Sequence, residues 1–96
     1  MYQFEYDENK SLSNLDKHGI DFKKAQKIWE NPNAKIVYER SVEGEDRFSI
    51  IGYIQQRCFV AIFTLRDDNI RIISVRRCRK NEKRRFEDEN NSQRVW

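Results

Sequence analysis

Apolar residues recur along this chain with a period that changes from place to place, and the changes mark the elements. Tyr2, Phe4 and Tyr6 alternate with Gln3 and Glu5, which predicts a short half-buried strand. Asp7 then caps a helix from Glu8 to about Lys17 in which Leu12 and Leu15 form a narrow apolar stripe, and Gly19 supplies the left-handed residue that ends it. So narrow a stripe places this helix at the surface. Asp21 caps a second helix whose stripe of Phe22, Ala25, Ile28 and Trp29 runs until Asn31-Pro32, since a residue before proline is pushed out of the helical region. Trp29 is expected to anchor the core.

Beyond Pro32 the period becomes two, with Ala34, Ile36 and Tyr38 on one side of a strand and Lys35, Val37 and Glu39 on the other. An acidic turn, Val42-Glu43-Gly44-Glu45, leads into Arg47 to Ile54, where Phe48, Ile50, Gly52 and Ile54 oppose Arg47, Ser49, Ile51 and Tyr53. Gln55-Gln56-Arg57 is a tight link. Cys58 to Leu65 is an almost unbroken apolar run, as expected of a central strand, and Arg66-Asp67-Asp68-Asn69 turns the chain back. In the last strand, Arg71-Ile72-Ile73-Ser74-Val75-Arg76-Arg77, strict alternation puts Ser74 and Arg76 with Ile70 and Ile72, and turns Arg77 to the opposite face with Ile73 and Val75. Short links imply hairpins. The pattern predicts an α+β fold: a short N-terminal strand, two helices on one face of a small antiparallel sheet, a meander of about four strands, and a basic C-terminal helix whose apolar contact is chiefly Phe86.

The 96 residues make one domain, 1–96, with a thin core, because 36% of them are charged. No apolar run has the length of a membrane span and the amino terminus lacks a signal-peptide pattern, so cytoplasm is the expected location. Cys58 and Cys78 fit that compartment as reduced packing residues; with one histidine in the chain, no metal or other cofactor is expected. Charge changes the picture more. The net charge of +3 hides a segment, residues 71–85, with eight Lys/Arg against the single acid Glu82, a local +7 that leaves −4 for the rest. Such a pole addresses a polyanion or an acidic partner. It also sits at the amino end of the last predicted helix, where the macrodipole disfavours cations unless an anion is near.

Taken in order, Phe4-Glu5-Tyr6-Asp7-Glu8-Asn9-Lys10, Asn14, Lys17-His18-Gly19-Ile20, Phe22, Ala25, Asn31-Pro32, Gly44-Glu45, Arg47, Ile51-Gly52, Phe63-Thr64, Arg66 and Arg71 to Arg77, followed by Glu82 and Phe86, resemble the BrnT family of bacterial toxins. The resemblance runs nearly end to end. It implies a RelE-like fold, a ribonuclease activity that arrests translation, and a neighbouring ribbon-helix-helix antitoxin, with the complex of the two binding its own operator DNA. Three positions depart from the pattern: Val75 and Cys78, where alanine is usual, and Phe63, where a tyrosine or histidine is frequent and whose loss would remove a polar group from the site.

Cleavage of RNA by its own 2′-hydroxyl needs a proton acceptor, positive charge on the phosphorane and help for the leaving oxygen. His18, the one histidine in the chain, is the nominal acid or base, equally readable with Lys17 as a cap on the helix end. Glu45 is a weaker base candidate beside a turn. Arg47, Arg76 and Arg77 are the first choices for holding a phosphate, since arginine offers paired donors; Arg66, Arg71, Arg79, Lys80, Lys83 and Arg84 would bind the RNA backbone. Arg47 and Arg76 converge if their strands are antiparallel neighbours. Ser74 could donate a hydrogen bond or simply pack, and Tyr53 and Trp96 could stack on bases or serve the core. Two rivals remain: a nucleic-acid-binding module without catalysis, and an interaction protein whose basic helix docks an acidic partner. Convergence of His18, Arg47 and Arg76 on one concavity is the feature that would favour catalysis.

Overall fold

The computed structural model describes residues 3–92; Tyr2 and Trp96 lie outside the described residues. The elements are β1 (Phe4–Glu5), α1 (Glu8–His18), α2 (Phe22–Ala25), a 3₁₀ turn (Gln26–Glu30), β2 (Lys35–Val42), β3 (Glu45–Ile54), β4 (Arg57–Arg66), β5 (Asn69–Arg77) and α3 (Lys80–Ser92). They form an α+β fold on one five-stranded sheet of order β1-β5-β4-β3-β2. β2 to β5 are the expected antiparallel meander, but β1 pairs parallel to β5, so the sheet is mixed. The helical layer carries the chain across one face from β1 at one edge to β2 at the other, and this crossover lets β1 and β5 run the same way.

Three hairpins join the meander through two residues each, all six at positive φ: Glu43 and Gly44, Gln55 and Gln56, Asp67 and Asp68. This left-handed pair matches the right-handed twist of the strands it connects. Only Gly44 adopts it without a Cβ penalty.

Asp7 and Asp21 cap α1 and α2 as predicted, and Gly19 at φ 74° ends α1. The buried face of α1 differs from expectation. Leu12 is 63% exposed and Leu15 44%, whereas Ser11 and Asn14 are buried. Asn14 donates to the Ile20 carbonyl at 2.8 Å and accepts from the Val75 N–H at 3.1 Å, while Ser11 Oγ accepts from the Phe22 N–H at 2.9 Å. α1 therefore docks by satisfying backbone groups that the turn and the sheet leave open. The second helix tightens after one turn into the 3₁₀ segment, which packs Ile28 against β3. Gly52 permits that approach, because a Cβ there would stand 3.2 Å from Ile28 Cγ2.

The core lies between this helical layer and one sheet face, where Phe22, Ile28 and Trp29 meet Ile50, Ile54, Phe59, Ala61, Phe63, Ile70, Ile72 and Val75. Val75 corrects the alternation expected for β5. Phe63 pairs with Ile72 but Ile62 pairs with Ser74, so Ile73 is an extra residue, a β-bulge. The bulge returns Val75 and Arg77 to the core-facing side with Ile70 and Ile72, and turns Ser74 and Arg76 to the outer face. Phe63 is likewise a core residue, edge-on to Trp29 at 5.2 Å and stacked on Phe48 at 5.6 Å, so its apolar character takes nothing from a surface site.

Cys58 and Cys78, expected to be reduced, form a disulfide. The β4–β5 register brings them together just past its last pair, Phe59 with Arg77: the Cα atoms are 5.3 Å apart and the Cys78 N–H donates to the Cys58 carbonyl at 3.0 Å. Compartment reasoning had outweighed a proximity that only strand pairing creates.

Two outcomes follow. Reduction, or Cys58→Ala with Cys78→Ala, should lower unfolding free energy by about 2–4 kcal/mol in urea titrations, the usual range for such a crosslink. Replacing Gln55-Gln56 by Asn-Gly should raise it by roughly 1 kcal/mol, since the native pair holds two side-chain-bearing residues in the left-handed region.

Candidate functional site

The outer sheet face carries the residues that point away from the core: Val37 on β2, Ser49 and Ile51 on β3, Val60 and Ile62 on β4, Ser74 and Arg76 on β5. α3 leans over part of this face. Its one buried apolar residue is Phe86, which meets the Tyr53 ring at 5.7 Å, and polar contacts do the rest: Lys35 Nζ to Glu89 at 2.6 Å and the Tyr53 hydroxyl to Glu87 at 2.8 Å. Between helix and sheet lies a groove of about 340 Å³ with an apolar floor of Ile51, Val60 and Ile62. Arg76, Arg79 and Arg85 line it, together with Lys35, Glu39, Glu82 and Glu89. A groove of that volume accommodates a small ligand or a single nucleotide unit.

Arg76 is held from behind. Its Nη1 and Nη2 donate to the two oxygens of Glu82 at 2.7 and 2.8 Å, and Glu82 also accepts from the Arg79 N–H at 2.8 Å. Glu82 thus reaches back from the first turn of α3 to the residue before the helix, as in half of a capping box. It is the anion that makes a cationic helix amino end tolerable. Hydrogen bonding from Arg76, opposed by burial and helped by Arg79, holds the Glu82 carboxyl at about 2. The same pair, followed by smaller effects that include the charge of Glu39, holds Arg76 protonated more firmly than an ordinary arginine. Arg76 Nε–H and one Nη2–H keep no partner among the described residues.

The other expected site residues are dispersed. β3 and β5 flank β4 and run in the same direction, so Arg47 and Arg76 lie at opposite ends of the sheet, correcting the expectation that they meet. Arg47 is in line with Thr64 and Arg71, and Arg76 with Val60; the four residue steps from Val60 to Thr64 separate the two rows by about 13 Å. In the Arg47 row, Glu45 takes Arg66 at 3.2 Å and Arg47 at 3.6 Å, and Arg71 lies 3.6 Å from Glu5. Arg47 Nε is buried without a partner. Arg77 projects to the opposite face from Arg76, its guanidinium 5.7 Å from the Phe59 ring centroid. Lys17 and His18 are exposed in the last turn of α1, one turn beyond Asn14 and on the helical side of the sheet. Ser74 shares the outer face with Arg76. Arg79, Lys80, Lys83 and Arg84 are exposed around the start of α3, with Arg84 turned away from the groove. Tyr53 supports α3 rather than standing free to stack.

Sequence reasoning passed over Glu39, Ser49 and Arg85. The signal for the first two was available, since the period of two puts Lys35, Val37 and Glu39 on one side of β2 and Arg47, Ser49 and Ile51 on one side of β3; Arg85 needed the placement of α3. Among the described residues no group of three or more His, Cys, Asp or Glu gathers in a metal-binding arrangement. Among the described residues no helix is long and apolar enough to cross a membrane.

The Arg76–Glu82 pair should appear in the acid limb of stability. The folded Glu82 carboxyl lies below an unfolded value of about 4.3, so its contribution is full above about pH 5 and is lost as pH falls toward 2. Partial solvation limits it to about 1–2 kcal/mol. Glu82→Gln should remove that part of the pH dependence in urea titrations from about pH 2 to 7, and lower stability at neutral pH by the same amount.

The arrangement is a groove lined by four cations and three carboxylates, closed on one side by a helix whose first turn is tied through Glu82 to the central Arg76. No curated protein sequence matches the chain. A family model described as the ribonuclease toxin BrnT of type II toxin–antitoxin systems matches residues 6–82, from the end of β1 to the glutamate that pairs with Arg76. With most of its length matched, the chain belongs to the BrnT family of type II toxin–antitoxin ribonuclease toxins.

Proposed function

We propose that this chain cleaves RNA in the groove between α3 and the outer sheet face, without a metal ion, and that the cleavage inhibits translation. The observation that carries the reading is the lining of that groove: Arg76, Arg79 and Arg85 over a floor of Ile51, Val60 and Ile62. Arginines can compensate the charge of a phosphorane as it develops, and an apolar floor can receive a base. Glu82 preorganises Arg76, because two donors of its planar guanidinium are fixed on the carboxylate while Nε–H keeps no partner among the described residues and could take a phosphate oxygen. The second row, Arg47, Arg66 and Arg71, lies about 13 Å along the same sheet. It would track the RNA backbone rather than act on the scissile phosphate.

The partner that fits is an antitoxin that covers the basic pole, a ribbon-helix-helix protein whose complex with this chain binds its own operator DNA. An acidic or amphipathic segment laid along the groove would neutralise Arg76, Arg79 and Arg85 together. An RNA substrate and an arrest of translation support the cytoplasm as the site of action. A second reading, a nucleic-acid-binding module without catalysis, is favoured by one observation: His18, Arg47 and Arg76 do not converge.

Incubating the purified protein with RNA in EDTA separates the two. The ribonuclease reading expects fragments ending in 2′,3′-cyclic phosphate and 5′-hydroxyl. Arg76→Ala should then lower kcat about 100- to 1000-fold, the typical loss of one preorganised donor, and Arg76→Lys should restore part of it. Arg84→Ala, outside the groove, should weaken RNA binding and flatten its salt dependence without changing kcat. Equal mild losses for Arg76→Ala and Arg84→Ala that vanish at saturating RNA would favour the binding module.

A further inference from the structure

We propose that Glu39 is the general base of the cleavage, with Ser49 as the residue that positions it. The inference rests on the ribonuclease reading and adds to it the proton acceptor, for which neither His18 nor Glu45 stands in the groove.

Three carboxylates line the groove, and two are engaged by cations. Glu82 gives both oxygens to Arg76, and Glu89 is bound to Lys35 at 2.6 Å. A carboxylate so paired is a poor base, since the bound cation stabilises its charged form and lowers its affinity for a proton. Glu39 differs. Its Oε2 accepts from the neutral Ser49 hydroxyl at 2.6 Å, and its Oε1 has no partner among the described residues. A neutral donor orients the group, the Arg76 charge acts on it only at a distance and without an ion pair, and one oxygen is left to receive a proton.

The strand geometry supports the same assignment. β2 pairs with β3 through Tyr38 with Phe48 and then Arg40 with Arg47, so Glu39 is the extra residue of a bulge. Bulges re-aim single side chains and recur beside active sites. Here the extra residue faces Ser49 on the outer sheet face, in the same groove as Arg76. Base and phosphate-binding arginine thus come from strands β2 and β5, with the apolar floor of β3 and β4 between them.

In the step itself, Glu39 takes the proton of the 2′-hydroxyl as that oxygen bonds to phosphorus. The bond from phosphorus to the 5′-oxygen breaks, the 5′-oxygen takes a proton from water, and the hydroxide left behind takes back the proton held by Glu39, which regenerates the carboxylate and the water. The products are a 2′,3′-cyclic phosphate and a 5′-hydroxyl, and Arg76 compensates the negative charge in between.

The test compares Glu39→Gln, Glu39→Ala and Ser49→Ala with the unaltered protein on one RNA, and measures binding with the same RNA carrying 2′-deoxyribose at the cleavage site. Glu39→Gln should lower kcat about 100- to 10000-fold, the range of a general base, and leave affinity for the deoxy analogue within about twofold. Added formate should restore part of kcat to Glu39→Ala and nothing to Arg76→Ala. Ser49→Ala should lower kcat less, with KM unchanged, and Ser49→Thr should recover part. Unchanged kcat in Glu39→Gln, or a loss that formate does not restore, overturns the assignment while the ribonuclease reading stands. If the unaltered protein binds RNA but cleaves none, the ribonuclease reading itself falls, and this assignment with it.

Discussion

The extra residue at Ile73 settles which way the last third of β5 faces. Upstream of it, Ile70 and Ile72 point into the core; without the bulge, Val75 would leave the core and Arg76 would enter it. A one-residue change of register inverts every later side chain, so a single insertion in the ladder is enough to place an arginine on the outer face. Two neighbouring features hold the segment beyond the bulge. Asn14 takes the Val75 N–H on the side where β1 has already ended, and the Cys58–Cys78 disulfide closes the end of the β4–β5 pair. α1 consequently matters for the outer face even though it lies on the other one.

The second constraint is the bidentate contact between Arg76 and Glu82. It joins the end of the sheet to the first turn of α3, and α3 has little else to hold it: one buried aromatic, Phe86, and polar contacts through Glu87 and Glu89. Most helices in small domains are fixed by an apolar stripe, but α3 has none beyond that residue. Charge placement therefore decides where it lies and, with it, the width of the groove. The family match ends at Glu82, so the matched region includes both partners of the contact, while the body of α3 lies beyond it.

Conserving charge on a thin core also explains why positive residues are dispersed. A 96-residue chain with 36% charged positions cannot bury many of them, and each sheet end compensates its arginines locally: Glu45 for Arg47 and Arg66, Glu5 for Arg71, Glu82 for Arg76. A net charge of +7 over residues 71–85 is thereby divided between two faces and two ends of one sheet.

The order and type of elements were legible from local pattern alone, because period, caps and turns are properties of neighbouring residues. Asp7, Asp21 and Gly19 act where the sequence places them, and the meander from β2 to β5 follows from links too short for anything but hairpins. The basic pole and the role of Phe86 were equally readable. What pairing decides was not. The parallel placement of β1, the Cys58–Cys78 bond, the bulges at Ile73 and Glu39 and the burial of Ser11 and Asn14 in place of Leu12 and Leu15 all depend on contacts between residues distant in the chain. Alternation along a strand cannot reveal an inserted residue, since the bulge is defined only against the partner strand. For that reason the alternation that separates Arg76 from Arg77 could not tell which of the two faces the core, and the distance of Arg47 from Arg76 was decided by the tertiary structure alone.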